Sequence, residues 1–155
     1  MNKAIFAAGC FWHIQEIYDS LKGVIKTSVG YTGGNTVDPT YEEVCNGGSN
    51  HSEAIEVLFD EKIISYEDLL NQFWTIHDPT TLNRQGPDIG TQYRSAIYYT
   101  NNSQKIIAEE SRIKMNIDKF KGGIVTEITQ ASTFYFAEEY HQNYNKKMKE
   151  KYGIS

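Results

Sequence analysis

The fold is decided near the start of the chain, where residues 3–23 read KAIFAAGCFWHIQEIYDSLKG. The opening run, Lys3–Ala8, is short and apolar, which predicts a buried β-strand that ends at Gly9. From Phe11 to Leu21 the apolar residues recur at the spacing of a helix, and Gly23 is a suitable stop. The stretch therefore predicts a strand, a tight turn at Gly9-Cys10 and a helix.

Beyond this stretch, further strands and helices alternate, but several strand-to-strand connections lack a helix. Strands are predicted at Val24–Tyr31, Glu53–Phe59, Ser95–Tyr99 and Ile124–Gln130. Helices are predicted at Tyr66–Ile76 with Ser65 as its cap, from a Ser103 cap to about Asn116, and through most of Ala137–Tyr152. Long polar loops are predicted at Thr32–Asn50, with a helical turn at Tyr41–Cys45, and at His77–Thr91. This order favours a mixed sheet with helices packed on it, an α+β sandwich.

Length and composition point to one globular domain over residues 1–155. The chain has 155 residues, of which 39% are hydrophobic and 23% charged, with a net charge of −5. A mildly acidic chain has no electrostatic basis for nonspecific binding to nucleic acid or acidic membranes. The run Ile5–Trp12 is too short to span a bilayer, and residues 1–5 lack the features expected of a secretory leader, an apolar h-region and a cleavage site. We therefore expect a cytoplasmic protein that binds neither nucleic acid nor membrane. We also expect a monomer, although composition does not determine the oligomeric state.

Cys10 is the strongest single candidate for chemistry. It lies at the predicted strand-to-helix turn, where the helix dipole and free backbone N–H groups lower a thiol pKa. A small buried hydrophobic residue is the other interpretation, and position alone does not decide between the two. Cys10 and Cys45 are too few for a disulfide framework, and their spacing does not suggest a zinc site, so we expect no metal.

Aromatic residues follow Cys10 directly. Phe11 and Trp12 are adjacent on the predicted helix, so they point about 100° apart and cannot both enter the same core. At least one is expected to line a pocket beside the sulfur, where an aromatic wall suits a methyl or thioether group.

Other polar candidates are less specific. A carboxylate at Glu53, beside Ala54 at the start of a strand, would have a raised pKa if buried, but composition alone favours a solvated edge residue. Tyr41 and Tyr93 lie in the long loops and could donate hydrogen bonds or simply pack there. Asp88 could organise a polar network or serve only as a turn residue.

Two alternative functions are considered, one of which depends on a histidine. The four histidines do not occur at metal-ligand spacing, and each is more typical of a structural residue. They are His13, His51, His77 and His141. A Cys–His hydrolase or acyl transferase that uses Cys10 with His51 or His141 remains possible. A nonenzymatic module that stacks nucleic-acid bases on aromatic residues is disfavoured by the negative charge.

Taken together, several separate motifs resemble the A-type peptide methionine sulfoxide reductases. They run in the family's order from about Ile5 to Tyr144: Gly9-Cys10-Phe11-Trp12, Gly30-Tyr31-Thr32-Gly33-Gly34, Pro39-Thr40-Tyr41-Glu42-Glu43-Val44-Cys45, His51-Ser52-Glu53-Ala54, Phe73-Trp74 with His77-Asp78-Pro79, Gly90-Thr91-Gln92-Tyr93-Arg94-Ser95, and Phe134-Tyr135-Phe136-Ala137-Glu138 with His141-Gln142. The resemblance implies a two-layer mixed-sheet α/β sandwich with a ferredoxin-like core and elaborated loops.

The resemblance also implies an activity and roles for residues. The activity is reduction of the S epimer of methionine sulfoxide, peptide-bound or free, with no bound cofactor. The implied catalytic residues are Cys10 as nucleophile, Glu53 as proton donor, and Tyr41 and Tyr93 as hydrogen-bond donors. The implied substrate-binding residues are Phe11, Trp12 and Asp88.

Departures from the family pattern bear on how the enzyme is regenerated. His13-Ile14-Gln15 replaces a more usual Gly-apolar-Glu sequence, and the tail Met148–Ser155 has no resolving cysteine. We therefore expect a one-cysteine enzyme whose sulfenic acid is reduced by an external thiol, either thioredoxin or glutathione with glutaredoxin. Cys45 is expected to be a structural thiol, with a Cys10–Cys45 disulfide as the minor alternative.

Overall fold

A computed structural model describes residues 2–153, so the predicted domain's ends at Met1 and at Ile154–Ser155 lie outside the described residues. The strands are β1 (Asn2–Ala8), β2 (Val24–Thr32), β3 (Ser52–Phe59), β4 (Arg84–Gln85), β5 (Asp88–Ile89), β6 (Ser95–Tyr99), β7 (Glu127–Gln130) and β8 (Tyr135–Phe136). The helices are α1 (Phe11–Asp19), α2 (Tyr41–Cys45), α3 (Tyr66–Ile76), α4 (Asn102–Met115) and α5 (Tyr144–Lys151). Short 3₁₀ turns lie at Thr91–Tyr93 and Glu139–His141, and α4 continues into a π turn at Asn116–Phe120.

A six-stranded sheet with the order β7-β6-β1-β3-β2-β8 forms one layer. Strands β1, β2, β3 and β6 pair antiparallel, and β7 joins β6 in parallel. The segment β1-α1-β2-β3-α3-β6 with the order β6-β1-β3-β2 has the ferredoxin-like arrangement. The α+β sandwich with a mixed sheet is therefore confirmed.

The main core lies between the sheet and α1 and α3. Phe6 of β1 packs against Tyr18 of α1 and Phe73 of α3, with ring centroids 5.6 and 5.4 Å apart. All three side chains are fully buried. Burial of such a side chain is worth about 1.5–3 kcal/mol, so these contacts fix α1 against the end of β1.

Local signals set most element boundaries as predicted. Helix α3 begins after Ser65, whose hydroxyl accepts the Asp68 N–H at 3.0 Å while the Asp68 carboxylate accepts the Ser65 N–H. The prediction that Ser103 caps α4 is wrong, because the side chain of Asn101 accepts the Gln104 N–H at 2.9 Å and the helix starts earlier. The predicted strand at Ile124–Gln130 is shorter and begins at Glu127.

Candidate active site

The Gly9-Cys10 turn positions the thiol at the start of α1. Gly9 has a φ of +93°, and a Cβ atom there would lie 2.8 Å from the side chain of Gln85. Both the conformation and the close approach require glycine. Cys10 is the residue that precedes the first turn of α1, and its side chain is partly exposed.

Glu53 meets this turn through strand pairing. Strand β3 runs antiparallel to β1, so the start of β3 lies beside the end of β1. Side chains alternate along a strand, so Glu53 lies on the same face as Ile55 and Val57, which belong to the core under the helices. The carboxylate is only 1% exposed, so the expectation of a solvated edge residue is wrong.

The two oxygens of the Glu53 carboxyl group have different surroundings. Oε1 accepts the backbone N–H of Phe11, the residue after Cys10, at 3.3 Å. Oε2 is buried and has no hydrogen-bond partner among residues 2–153. Burial raises the pKa of Glu53 to about 8, the charge of Asp88 contributes in the same direction, and the Phe11 N–H opposes them in part. The carboxyl group is therefore protonated at neutral pH, with an oxygen free to donate that proton.

The Cys10 thiol does not show the net pKa decrease expected of a helix N-terminus. Burial raises its pKa, and the charges of Glu53 and Asp88 raise it further. The backbone N–H groups of Trp12 and His13 lower it, as the helix argument requires, but they do not offset the other effects. The expected lowering is therefore wrong, because the site is partly desolvated and surrounded by carboxyl groups.

The two predicted phenols lie close to these groups. Tyr41 is the first residue of α2, and Tyr93 ends a 3₁₀ turn before β6. Burial raises the pKa of Tyr93 to about 12 and that of Tyr41 above its usual range, and the negative charge of Glu53 raises both further. The negative charge of Cys10 also raises the pKa of Tyr93. Both phenols are therefore neutral hydrogen-bond donors at physiological pH.

The remaining predicted residues surround the same site. Asp88 lies on the small β4–β5 hairpin, close enough to influence the pKa of Cys10, Glu53 and Tyr93. Phe11 is buried, 5.8 Å from the Tyr31 ring, whereas Trp12 is only partly buried. The structure thus brings the predicted side chains together, with Trp12 rather than Phe11 as the exposed aromatic.

Glu138 and Gln142, which were not predicted as site residues, connect the segment 134–142 to β2 and to the start of α2. The carboxylate of Glu138 accepts the Tyr31 hydroxyl at 2.8 Å and the Tyr41 N–H at 3.1 Å. The side chain of Gln142 accepts the Val29 N–H at 3.0 Å and donates to the Val29 carbonyl at 2.9 Å. The motif at 134–142 was visible in the sequence, but nothing in its residues indicated these long-range contacts.

The structure gives no support to a Cys–His pair. Nδ1 of His51 accepts the Gly34 N–H at 3.0 Å, and its Nε2 lies 2.8 Å from the Thr36 carbonyl. Nδ1 of His141 accepts the Trp12 indole N–H at 2.9 Å. Within residues 2–153, no histidine is hydrogen-bonded to Cys10, and no three side chains cluster as a metal site requires.

Cys45 lies near the site and does not pack in the core. It is exposed at the end of α2, one turn after Tyr41, and the two side chains influence each other's pKa. The negative charge of Glu53 also raises the pKa of Cys45. The expectation of a structural thiol therefore has no basis in packing.

The class of protein follows from solved structures with the same fold. The reduced form of Mxr1 from Saccharomyces cerevisiae has a TM-score of 0.90 at 33% identity, over 94% of this chain and 84% of that one. Methionine sulfoxide reductase A of Corynebacterium diphtheriae has a TM-score of 0.89 at 37% identity, over 94% of this chain and 74% of that one. The fold is thus shared with a methionine sulfoxide reductase, an oxidoreductase.

Sequence comparison identifies the family. A family model described as "Peptide methionine sulfoxide reductase" matches residues 2–154. The peptide methionine sulfoxide reductase MsrA of Methanosarcina acetivorans is 54% identical over 148 residues, which cover 95% of this chain and 79% of that protein. The chain therefore belongs to the peptide methionine sulfoxide reductase family and is an oxidoreductase that acts on methionine sulfoxide in peptides. None of the helices within residues 2–153 is long and apolar enough to cross a membrane.

The burial of Glu53 predicts a pH-dependent change in stability. Its pKa is about 8 in the folded chain against an ordinary value of 4.5, so between these values the folded state binds more protons and stability falls as the pH rises. Glu53→Gln removes this titration. Between about pH 5 and pH 8, the wild type should lose stability relative to the variant. We expect the difference in the free energy of unfolding, variant minus wild type, to increase by about 1.4 kcal/mol per pH unit.

Chemical denaturation from about pH 5 to pH 9 measures this difference. Above about pH 8 the two curves should run parallel, because the carboxyl group is then charged in both states. Glu56→Gln, on the same strand and paired with Lys3, is the matched control. A stability difference between wild type and Glu53→Gln that does not change with pH, or an equal pH-dependent difference between wild type and Glu56→Gln, would contradict a neutral buried Glu53.

Proposed function

We propose that this chain reduces the S epimer of methionine sulfoxide by attack of Cys10 on sulfur, with Glu53 as the proton donor. The observation that carries the proposal is the asymmetric environment of the Glu53 carboxyl group. Its Oε1 is held by the N–H of Phe11, while its buried Oε2 has no partner within residues 2–153. A sulfoxide oxygen leaves sulfur readily only when it is protonated, and this arrangement keeps a proton available beside the nucleophile.

The proposed step balances in atoms and electrons. The thiolate of Cys10 attacks the substrate sulfur and forms an S–S bond, while Glu53 transfers its proton to the sulfoxide oxygen. The hydroxyl group then moves to the Cys10 sulfur as the substrate S–O bond and the new S–S bond break, which leaves a sulfenic acid on Cys10 and releases the thioether. The substrate sulfur is reduced by two electrons and Cys10 is oxidised by two. The step leaves Glu53 as a carboxylate, which takes a proton from solvent and so balances the proton that Cys10 released when the thiolate formed.

The electrostatics support one shared proton between these two groups. The charge of Glu53 raises the pKa of Cys10, so a fully deprotonated pair is unfavourable. The reactive form is the singly protonated pair, with a thiolate and a neutral carboxyl group. Tyr41 and Tyr93 would then hold the sulfoxide oxygen with neutral donors that add no competing charge.

Substrate recognition is proposed to depend on Trp12, Phe11 and Asp88. The partly exposed Trp12 would form the wall against the substrate methyl group, since an aromatic face suits a methyl beside sulfur. The buried Phe11 would close the base of the pocket and hold Glu53 through its N–H. Asp88 would organise the polar side.

Regeneration is proposed to use an external thiol. The two cysteines are both free, which fits a reducing compartment such as the cytoplasm. Mxr1 is also known in a complex with Trx2, a structure that shares the fold with a TM-score of 0.66 at 21% identity. We propose thioredoxin, or glutathione with glutaredoxin, as the electron donor for Cys10.

An assay on separate epimers tests the proposed reaction. Each sulfoxide epimer of a blocked methionine and of free methionine is offered with dithiothreitol, thioredoxin, or glutathione with glutaredoxin. We expect turnover of the S epimer only, with dithiothreitol and at least one protein reductant. Equal turnover of the R epimer would contradict the stereochemical assignment.

The one-cysteine scheme predicts that Cys45→Ser is nearly neutral. The single-turnover rate and the thioredoxin-dependent kcat should both stay within about twofold of wild type, because Cys45 takes no part in either step. Thiol titration after one turnover should show the loss of one thiol. A loss of activity confined to multiple turnover, with a Cys10–Cys45 disulfide in the wild type, would instead make Cys45 the resolving residue.

A further inference from the structure

His141 has a buried ring nitrogen that the proposed reaction does not use. The side chain is 1% exposed and ends the Glu139–His141 turn. Its Nδ1 accepts the indole N–H of Trp12 at 2.9 Å, so a neutral ring carries its hydrogen on Nε2. That Nε2 is buried with no hydrogen-bond partner among the described residues. The imidazole therefore makes one hydrogen bond, to Trp12 through Nδ1, and its Nε2 has no partner among the described residues.

The ring is fixed by aromatic neighbours and by its own backbone. Tyr140 lies 4.1 Å away and Tyr41 4.5 Å away between ring centroids. The preceding Glu138 is bonded to Tyr41 and Tyr31, and the following Gln142 to both backbone groups of Val29. The imidazole thus presents its acceptor nitrogen to Trp12 from a rigid segment.

Trp12 is held at a second point by α5. Its ring lies 3.9 Å from the Tyr144 ring between centroids, with the two planes only 15° apart. Stacking on Tyr144 restricts tilting of the indole but leaves it free to slide within its plane. The hydrogen bond to His141 opposes this sliding, because it holds the indole nitrogen against a fixed acceptor.

We propose that His141 is a positioning residue that fixes the Trp12 indole as the wall of the substrate pocket. This inference rests on the proposed function, in which Trp12 contacts the substrate methyl group. A neutral acceptor suits this place, because a carboxylate would add negative charge near Cys10 and Glu53, where charge already opposes thiolate formation. His141 itself does not touch the substrate.

The proposal predicts a loss of binding rather than of chemistry. A mobile wall weakens contacts that the ground state and the transition state share, which raises KM with little effect on kcat. We expect His141→Phe, which keeps a ring but no acceptor, to raise KM for blocked methionine sulfoxide about tenfold and change kcat by less than about threefold. His141→Gln, which keeps a hydrogen-bond acceptor, should have a KM close to that of the wild type.

Indole NMR signals report on the hydrogen bond without any substrate. The two tryptophans, Trp12 and Trp74, give two indole N–H signals in ¹⁵N-labelled protein, and Trp12→Phe assigns them. In His141→Phe, the Trp12 signal should move upfield and exchange faster with water. The Trp74 N–H donates to Ser111 at 2.9 Å and should not move, so it is an internal control.

The outcomes separate this proposal from the proposed function. An unmoved Trp12 signal, or a shifted signal with an unchanged KM, would overturn the role of His141. An unchanged KM in Trp12→Phe would instead overturn Trp12 as the substrate wall. If His141→Phe does not fold, the ¹⁵N chemical shifts of the His141 ring in the wild type test the proposal instead. We expect the hydrogen on Nε2, because Nδ1 accepts from Trp12. A hydrogen on Nδ1 would overturn the proposal.

Discussion

Replacement of Cys10 by serine is expected to abolish methionine sulfoxide reduction while leaving the fold intact. A serine hydroxyl at this position is a far weaker nucleophile than a thiolate and cannot carry the oxygen as a stable sulfenic acid. We expect the single-turnover rate to fall by about a thousandfold or more. The assay is the formation of methionine from the S epimer in a rapid-quench experiment with enzyme in excess.

The stability of Cys10→Ser should change little. Cys10 is only partly buried and its side chain makes no cap hydrogen bond, so the free energy of unfolding should shift by less than about 1 kcal/mol. Cys45→Ser is the matched control, since it removes a thiol from the same side of the molecule. Substantial residual turnover in Cys10→Ser would contradict its assignment as the nucleophile.

Replacement of Glu53 by glutamine is expected to give the second largest effect. Glutamine keeps the shape and can still accept the Phe11 N–H, but it cannot donate a proton to the departing oxygen. Loss of general acid catalysis typically costs about 10²–10⁴-fold, and the loss should fall on sulfenic acid formation. Stopped-flow or rapid-quench kinetics measure this step directly.

The pH profile distinguishes this role from simple damage to the site. The wild-type rate should rise with pH as the pair loses its first proton near pH 8, then fall when the last proton is lost. In Glu53→Gln the thiol titrates alone, so the small residual rate should rise with pH and show no alkaline decrease. An unchanged single-turnover rate, or an alkaline decrease that persists, would contradict the acid role.

The local parts of the fold could be predicted because their signals are local. The strand-turn-helix at 3–19 and the helix Tyr66–Ile76 follow from apolar spacing, a glycine that must have a positive φ, and a serine cap. The hairpin Arg84–Ile89 and the strand Tyr135–Phe136 were missed, because two-residue strands carry no periodicity and form only against their partners.

The sequence indicated which residues form the site, but it did not indicate their burial or their pKa values. The motifs around Cys10, Glu53, Tyr41 and Tyr93 indicated which residues to examine. The burial of Glu53 depends on the pairing of β3 with β1 and β2, which composition does not reveal. The same holds for the raised Cys10 pKa, since its carboxyl neighbours come from distant parts of the chain.

The most direct test is the chemical state of the two cysteines after one turnover without reductant. Enzyme is mixed with one equivalent of the S epimer of a blocked methionine sulfoxide, and a sulfenic-acid reagent such as dimedone is added before mass spectrometry. We expect one methionine per chain, the reagent on Cys10 and a free thiol at Cys45. Methionine formed with no modified Cys10, or with the reagent on Cys45, would contradict it.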